Sequence, residues 1–255
     1  LIVPTVLATA NLTPASASAS AAAAPVDALP QRQRSLARAA QHDILRRLTP
    51  PLRHDMVVHL QSLGMMAEAL GARMDRGAVS PEDLQAGVSK LNRLARQAVA
   101  RCVDVCTWME PAEDDTIALR DGVSEVVRLL STSLNFRGFE LRSELAEGDL
   151  HVTRSALRFL LAGAILTLAD AAPGPGQLAV RAEVASSHGV VAVEYQPQPE
   201  GTFTQLHEPG EAPLAWPELQ ALARLHQVEL LRNGQAIVLR LPRAVVTTPL
   251  TMIPV

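Results

Sequence analysis

His54 and Asp55 stand side by side, with Arg53 directly before them. An exposed imidazole beside a carboxylate is suited to nucleophilic attack on a phosphoryl group. The acid can orient the ring, take a proton and favour the tautomer that leaves one ring nitrogen free. The pair is not specific by itself: His42-Asp43 repeats it, and an exposed histidine needs no special reason. His59 reads as a packing or half-exposed residue, and His151, His188, His207 and His226 are scattered. Cys102 and Cys106 lie one helical turn apart. They read as core thiols, because no neighbouring Cys or His completes a tetrahedral metal set and two cysteines cannot build a disulfide framework. Pro173-Gly174-Pro175-Gly176 lacks the Lys and following hydroxyl residue of a phosphate-binding loop, and no G-x-S-x-G elbow occurs.

The elements around the pair must hold His54 outward. Helical patterning begins near Arg32 and meets Thr49-Pro50-Pro51. A double Pro breaks a helix interior but is tolerated in a first turn. The spacing therefore predicts either a new helix capped by Thr49 or a bent continuation of the first. Beyond it Leu52, Met56, Leu60, Leu63, Ala67 and Leu70 form one apolar stripe. His54 sits between Leu52 and Met56, roughly 200° around the helix from each, and so points away from that stripe. A turn is expected at Asp75-Arg76-Gly77, then Ser80 as N-cap, Pro81 at the first helical position and Glu82-Asp83 in an acidic first turn. Leu84, Val88, Leu91, Ala95, Ala98, Cys102, Val105 and Met109 continue as a heptad seam. Two such helices form an antiparallel hairpin that cannot bury its apolar faces alone. The same hairpin from a second chain would complete a four-helix bundle.

Pro111 to Asp115 marks a boundary, and the remainder mixes helical and strand patterns. Helices are predicted over 118–134, 153–171 and 216–226, and strands over 139–145, 177–184, 189–195, 228–231 and 236–241. That order predicts one mixed sheet covered by helices on one face. The fold class is thus α+β: a helical hairpin, then an α/β sandwich. The expected division is a flexible Ala/Ser/Pro-rich arm over 1–31, a helical domain over 32–110, a sheet domain over 111–245 and a tail over 246–255.

The composition bounds the partners. In 255 residues, Lys and Arg number 23 against 26 Asp and Glu, and aromatic residues make up 3%. A net charge of -3 argues against a broad grip on nucleic acid or anionic membrane, and so few aromatics argue against a base-stacking platform. The first ten residues, LIVPTVLATA, are too short to span a bilayer, and no base occurs before Arg32 to form the basic region of a secretory signal. No direct membrane insertion is expected, and the expected compartment is cytoplasmic.

The run Leu52-Arg53-His54-Asp55-Met56-Val57-Val58-His59-Leu60-Gln61, at the head of a hairpin helix and followed by a heptad helix, resembles the dimerisation and phosphotransfer domain of two-component histidine kinases. With Leu60-Gln61 downstream, it looks especially like the sporulation-type phosphotransferases. It departs from them at Val58, where they often carry Asn. The resemblance implies that His54 is the phosphoacceptor and Asp55 its acid/base neighbour. Arg53, Val57, Val58 and Gln61 would meet a response-regulator receiver domain. Gly64, Met65 and Met66, further down the helix, read as docking or dimer-core residues. Arg46, Arg47 and Arg53 could offset phosphate charge or form an ordinary solvated face.

The second half resembles the ATP-binding domain of the same kinases, so that the likeness covers about residues 35–243. That family places a magnesium-binding Asn in the helix at 154–171, where this chain has Gly163. It follows the strand pair with D-x-G-x-G, where this chain reads Tyr195-Gln196-Pro197-Gln198-Pro199-Glu200-Gly201. Its Gly-rich lid has no counterpart between Gly201 and Gly210. Without magnesium ligands, an adenine reader or a nest of N–H groups, ATP-driven autophosphorylation is not expected. The resemblance implies a homodimeric histidine phosphotransferase of a phosphorelay. It would pass a phosphoryl group between receiver Asp residues and need no cofactor in this chain, with Mg²⁺ supplied in the receiver. The alternatives are an atypical ATP-dependent sensor kinase core and a non-enzymatic pseudokinase scaffold that binds a receiver.

Overall fold

The computed structural model describes residues 29–77, 79–109, 115–198 and 213–244. The expected arm up to residue 28, Pro111 to Asp114, the 199–212 segment that holds Gly201 and Gly210, and the tail beyond 245 lie outside the described residues.

Helix α1 runs unbroken over Gln31–Asp75, and α2 follows over Pro81–Met109. Pro50 and Pro51 are therefore interior to α1, and Thr49 does not cap a new helix. Its hydroxyl instead donates to the Leu45 carbonyl at 3.0 Å. An interior proline removes one ladder hydrogen bond and costs about 3 kcal/mol. Burial on both sides of the pair offsets that cost, with Ala37, Ala40, Ile44 and Leu48 fully buried before it and Leu52 at 5% exposure after it. The turn between the helices is where the spacing predicts it, with Gly77 at φ +64, a conformation glycine adopts without a Cβ penalty. Ser80 caps α2 by accepting from the Asp83 N–H at 3.1 Å.

The remainder is an α/β sandwich. Strands β2 (Phe139–Leu145), β4 (Gly176–Val184), β5 (His188–Pro197), β7 (Ala236–Pro242) and β6 (Glu229–Asn233) form one sheet in that spatial order. β2 and β4 run parallel and every other neighbouring pair runs antiparallel. Helices α3 (Leu119–Phe136), α4 (Arg154–Ala171) and α5 (Trp216–Leu225) accompany the sheet. β1 (Thr116–Ala118) and β3 (His151–Thr153) pair as a small antiparallel ribbon that closes the ends of α3 and α4. Those three-residue strands are too short for alternation to announce them.

Helix α4 explains how the two parts join. It is buried continuously from Ser155 to Ala169, which fits its almost wholly apolar sequence. The sheet covers one side of it and the first half of α1 another, with Ile44 against Gly163. Arg47 of α1 pairs with Asp170 near the end of α4, and Arg137 reaches the same carboxylate at 2.8 Å.

A second joint is ionic. Arg158 of α4 is 1% exposed and meets Asp104 of α2 at 3.0 Å and Glu125 of α3 at 2.5 Å. It also donates to the Thr107 hydroxyl at 2.7 Å and stacks 4.6 Å from the Trp108 ring centre. A buried guanidinium survives only with such pairing. Three helices are thereby tied to one side chain.

Candidate functional site

His54 lies three residues past Pro51 in α1, on the side opposite the buried Leu52 and Leu48. Its ring is exposed, as the stripe geometry predicts, and Asp55 is half-buried beside it. Among the described residues neither side chain has a hydrogen-bond or ion-pair partner. The pair lines a groove of about 240 Å³ between α1, the end of α2 and α3. Pro50, Pro51, Leu52, Val105, Trp108 and Leu129 give it an apolar lining. Asp104, Glu125, Arg128, Thr132 and Ser133 supply the polar part, and Phe136 stands at the rim, 80% exposed. Two of its three acids, Asp104 and Glu125, are already paired with Arg158.

The other residues expected at the site divide between two faces. Val58 and Gln61 follow His54 at steps of four and three, so they share its face, and both are exposed. Arg53 and Val57 turn the other way. With Leu60, Met56 and Met109 they line a second, apolar cleft of about 200 Å³ between α1 and α2. Arg47 does not stand by the imidazole, since it is spent on Asp170 in the interior. Arg46 is exposed and lies 3.8 Å from Asp43, one turn before the prolines.

Sequence reasoning missed the α3 wall. Its signal was present in Phe136, an aromatic residue off the buried stripe of Val123, Val126, Leu130 and Leu134. Trp108 also lies off the predicted heptad seam, yet it is 2% exposed because it covers Arg158.

Among the described residues, Gly163 and Tyr195, which stand where nucleotide contacts would be expected, are otherwise employed. A Cβ on Gly163 would lie 2.6 Å from Leu219 Cδ1 and 3.0 Å from Ile44 Cδ1, so a carboxamide there does not fit. Tyr195 is buried, and its hydroxyl donates to the Gly174 carbonyl at 2.9 Å, fastening the turn before β4. Burial pushes its pKa above the usual phenol value. Among the described residues no trio of His, Cys, Asp or Glu is placed to hold a metal ion, and no helix is long and apolar enough to cross a membrane.

The sequence matches no protein-family model and no curated protein. Solved histidine kinases are among the structures that align with it. A histidine kinase from Burkholderia phymatum aligns at 14% identity and TM-score 0.39, covering 85% of this chain and 99% of that one. Histidine kinase ThkA in complex with the response regulator TrrA aligns at 15% identity and TM-score 0.39, covering 86% and 68%. A structure described as a bacterial phosphotransferase aligns at 16% identity and TM-score 0.33, covering 78% and 95%.

Proposed function

We propose that the chain is a phosphorelay histidine phosphotransferase in which His54 carries the phosphoryl group between receiver domains. The observation that carries this reading is the placement of His54. It is an exposed imidazole beside a half-buried carboxylate, on a long helix whose other side is packed. A nucleophile that must enter another protein's active site has to stand out from a rigid element in this way.

The chemistry needs little else from this chain. The neutral imidazole attacks the phosphorus of a receiver's aspartyl phosphate. An N–P bond forms, the P–O bond to the aspartyl carbonyl breaks, and the electron pair leaves with the receiver carboxylate. The proton on the other ring nitrogen can pass to Asp55 or to water. Transfer to the next receiver reverses these steps. The receiver's own acidic pocket would hold Mg²⁺, whose charge would offset that of the moving group.

The chain acts as a dimer in this account. Val57, Leu60, Val88, Val99, Val103 and Met109 are between 40% and 64% exposed in the single chain. So many large apolar side chains along two helices fit the face of a four-helix bundle awaiting its second half. Arg53 and Val57 then belong to the bundle side, while Val58 and Gln61 remain beside His54 for docking.

The rival reading is an ATP-dependent histidine kinase core; the Burkholderia protein and ThkA are described as histidine kinases. The crowding of Gly163 by Ile44 and Leu219 speaks against it. Incubation with labelled ATP separates the two. The proposal expects no label on the chain alone, whereas label on His54 without a partner would establish the kinase.

A further inference from the structure

We infer that helix α3 forms the second wall of the receiver-docking site, with Phe136 and Arg128 as its contact residues. This inference rests on the phosphotransfer reading of His54. The groove that His54 lines is bounded on the far side by α3, through Arg128, Leu129, Thr132 and Phe136. A partner that reaches the imidazole from solvent therefore meets α3 as it arrives.

Three observations fit a protein occupant. Phe136 is 80% exposed at the groove rim, in a chain with only four Phe. An exposed aromatic at the edge of an apolar groove has the character of an interface anchor. Arg128, about two turns earlier on α3 and on the same groove, is exposed and, among the described residues, has no ion-pair partner. It is thus available to the acidic surface that surrounds a receiver's phosphorylated Asp. The groove, at about 240 Å³, lies below the roughly 300–1,000 Å³ usual for a small-molecule site, but it accommodates an inserted apolar side chain.

The groove is also held in shape. Asp104 and Glu125, on its two opposing helices, grip the same Arg158 guanidinium beneath it, and Trp108 lies on that guanidinium. The α2 and α3 sides of the groove are therefore fixed relative to each other by buried contacts, and α1, which carries His54, enters the same groove through Leu52 at 5% exposure. A receiver would meet a preformed surface, which lowers the entropic cost of docking.

The test is titration of the full chain with a panel of receiver domains, run alongside transfer from phosphorylated receivers to His54. Phe136→Ala and Arg128→Glu should each weaken binding and slow transfer by about tenfold or more, as expected for an interface anchor. Both variants should still take label on His54 from phosphoramidate, a small donor that needs no docking. Arg142→Ala, on the exposed side of β2, should bind as the parent does. Binding and transfer unchanged in both groove variants would overturn the inference. If receivers bind the parent but never label His54, the phosphotransfer reading falls, and the affinities of the variants still decide the role of α3. A parent chain that no receiver binds contradicts both.

Discussion

Ile44 of α1 closes over Gly163 of α4, so that a Cβ at Gly163 would sit 3.0 Å from Ile44 Cδ1. The contact joins the first half of α1 to the core of the sheet domain, at the position where the kinase resemblance calls for Asn. Gly163→Asn would place a polar side chain among Ile44, Leu214 and Leu219. We expect it to destabilise the chain by about 1–3 kcal/mol through overpacking, with a further loss from the unpaired carboxamide. Urea denaturation checks this, and a variant of parental stability that gained ATP affinity would contradict the packing described.

Arg158 is the ionic counterpart of that joint. Arg158→Met leaves Glu125, whose side chain is 12% exposed, without its closest cation. Removing one member of a buried ion pair costs about 3–5 kcal/mol. The expected result is a lower urea midpoint with secondary structure retained by circular dichroism.

The proposed dimer rests on the apolar cleft rather than on the His54 groove. Leu60 is 48% exposed and lines that cleft with Val57 and Met109. Leu60→Glu should convert a dimer into a monomer in sedimentation velocity, while His54→Ala should leave the dimer intact. A parent chain that sediments as a monomer at micromolar concentration would remove the bundle from the account.

Stability should fall on the acid side of neutrality. Burial holds the His226 imidazole below its ordinary pKa of 6.5, so the folded chain binds this proton less readily than the unfolded chain. Between the two pKa values the unfolded state carries more protons, and stability therefore rises with pH. The contribution is intact above about pH 6.5 and is lost as the pH drops through the folded value. Urea midpoints near pH 7.5 and about pH 5.5 should diverge for the parent, and less so for His226→Leu.

Much of the fold could be read from spacing. The two long helices, the turn at Gly77, the Ser80 cap and all five strands of the main sheet follow from local patterns, each of which agrees with its tertiary surroundings. Pro50 and Pro51 left two outcomes open, because a single sequence does not say whether buried neighbours on both sides will carry a helix through them. Leu36 to Leu48 read as a helix leading into the hairpin, yet α1 also packs on α4 and α5, a non-local contact without a periodic signature. At the site, the exposure of His54 was legible from its angle to Leu52 and Met56. The split of Arg53 and Val57 from Val58 and Gln61 needed the position of α2. The α3 wall needed the long-range pairing of Arg158 with Asp104 and Glu125.

The most direct measurement of the central claim is transfer of labelled phosphate from phosphorylated receiver domains to the full chain, without ATP. The account predicts an acid-labile, alkali-stable label on His54 that is absent from His54→Ala and reduced in Asp55→Ala. Failure of every cognate receiver to label His54, under conditions where those receivers bind the chain, would contradict it.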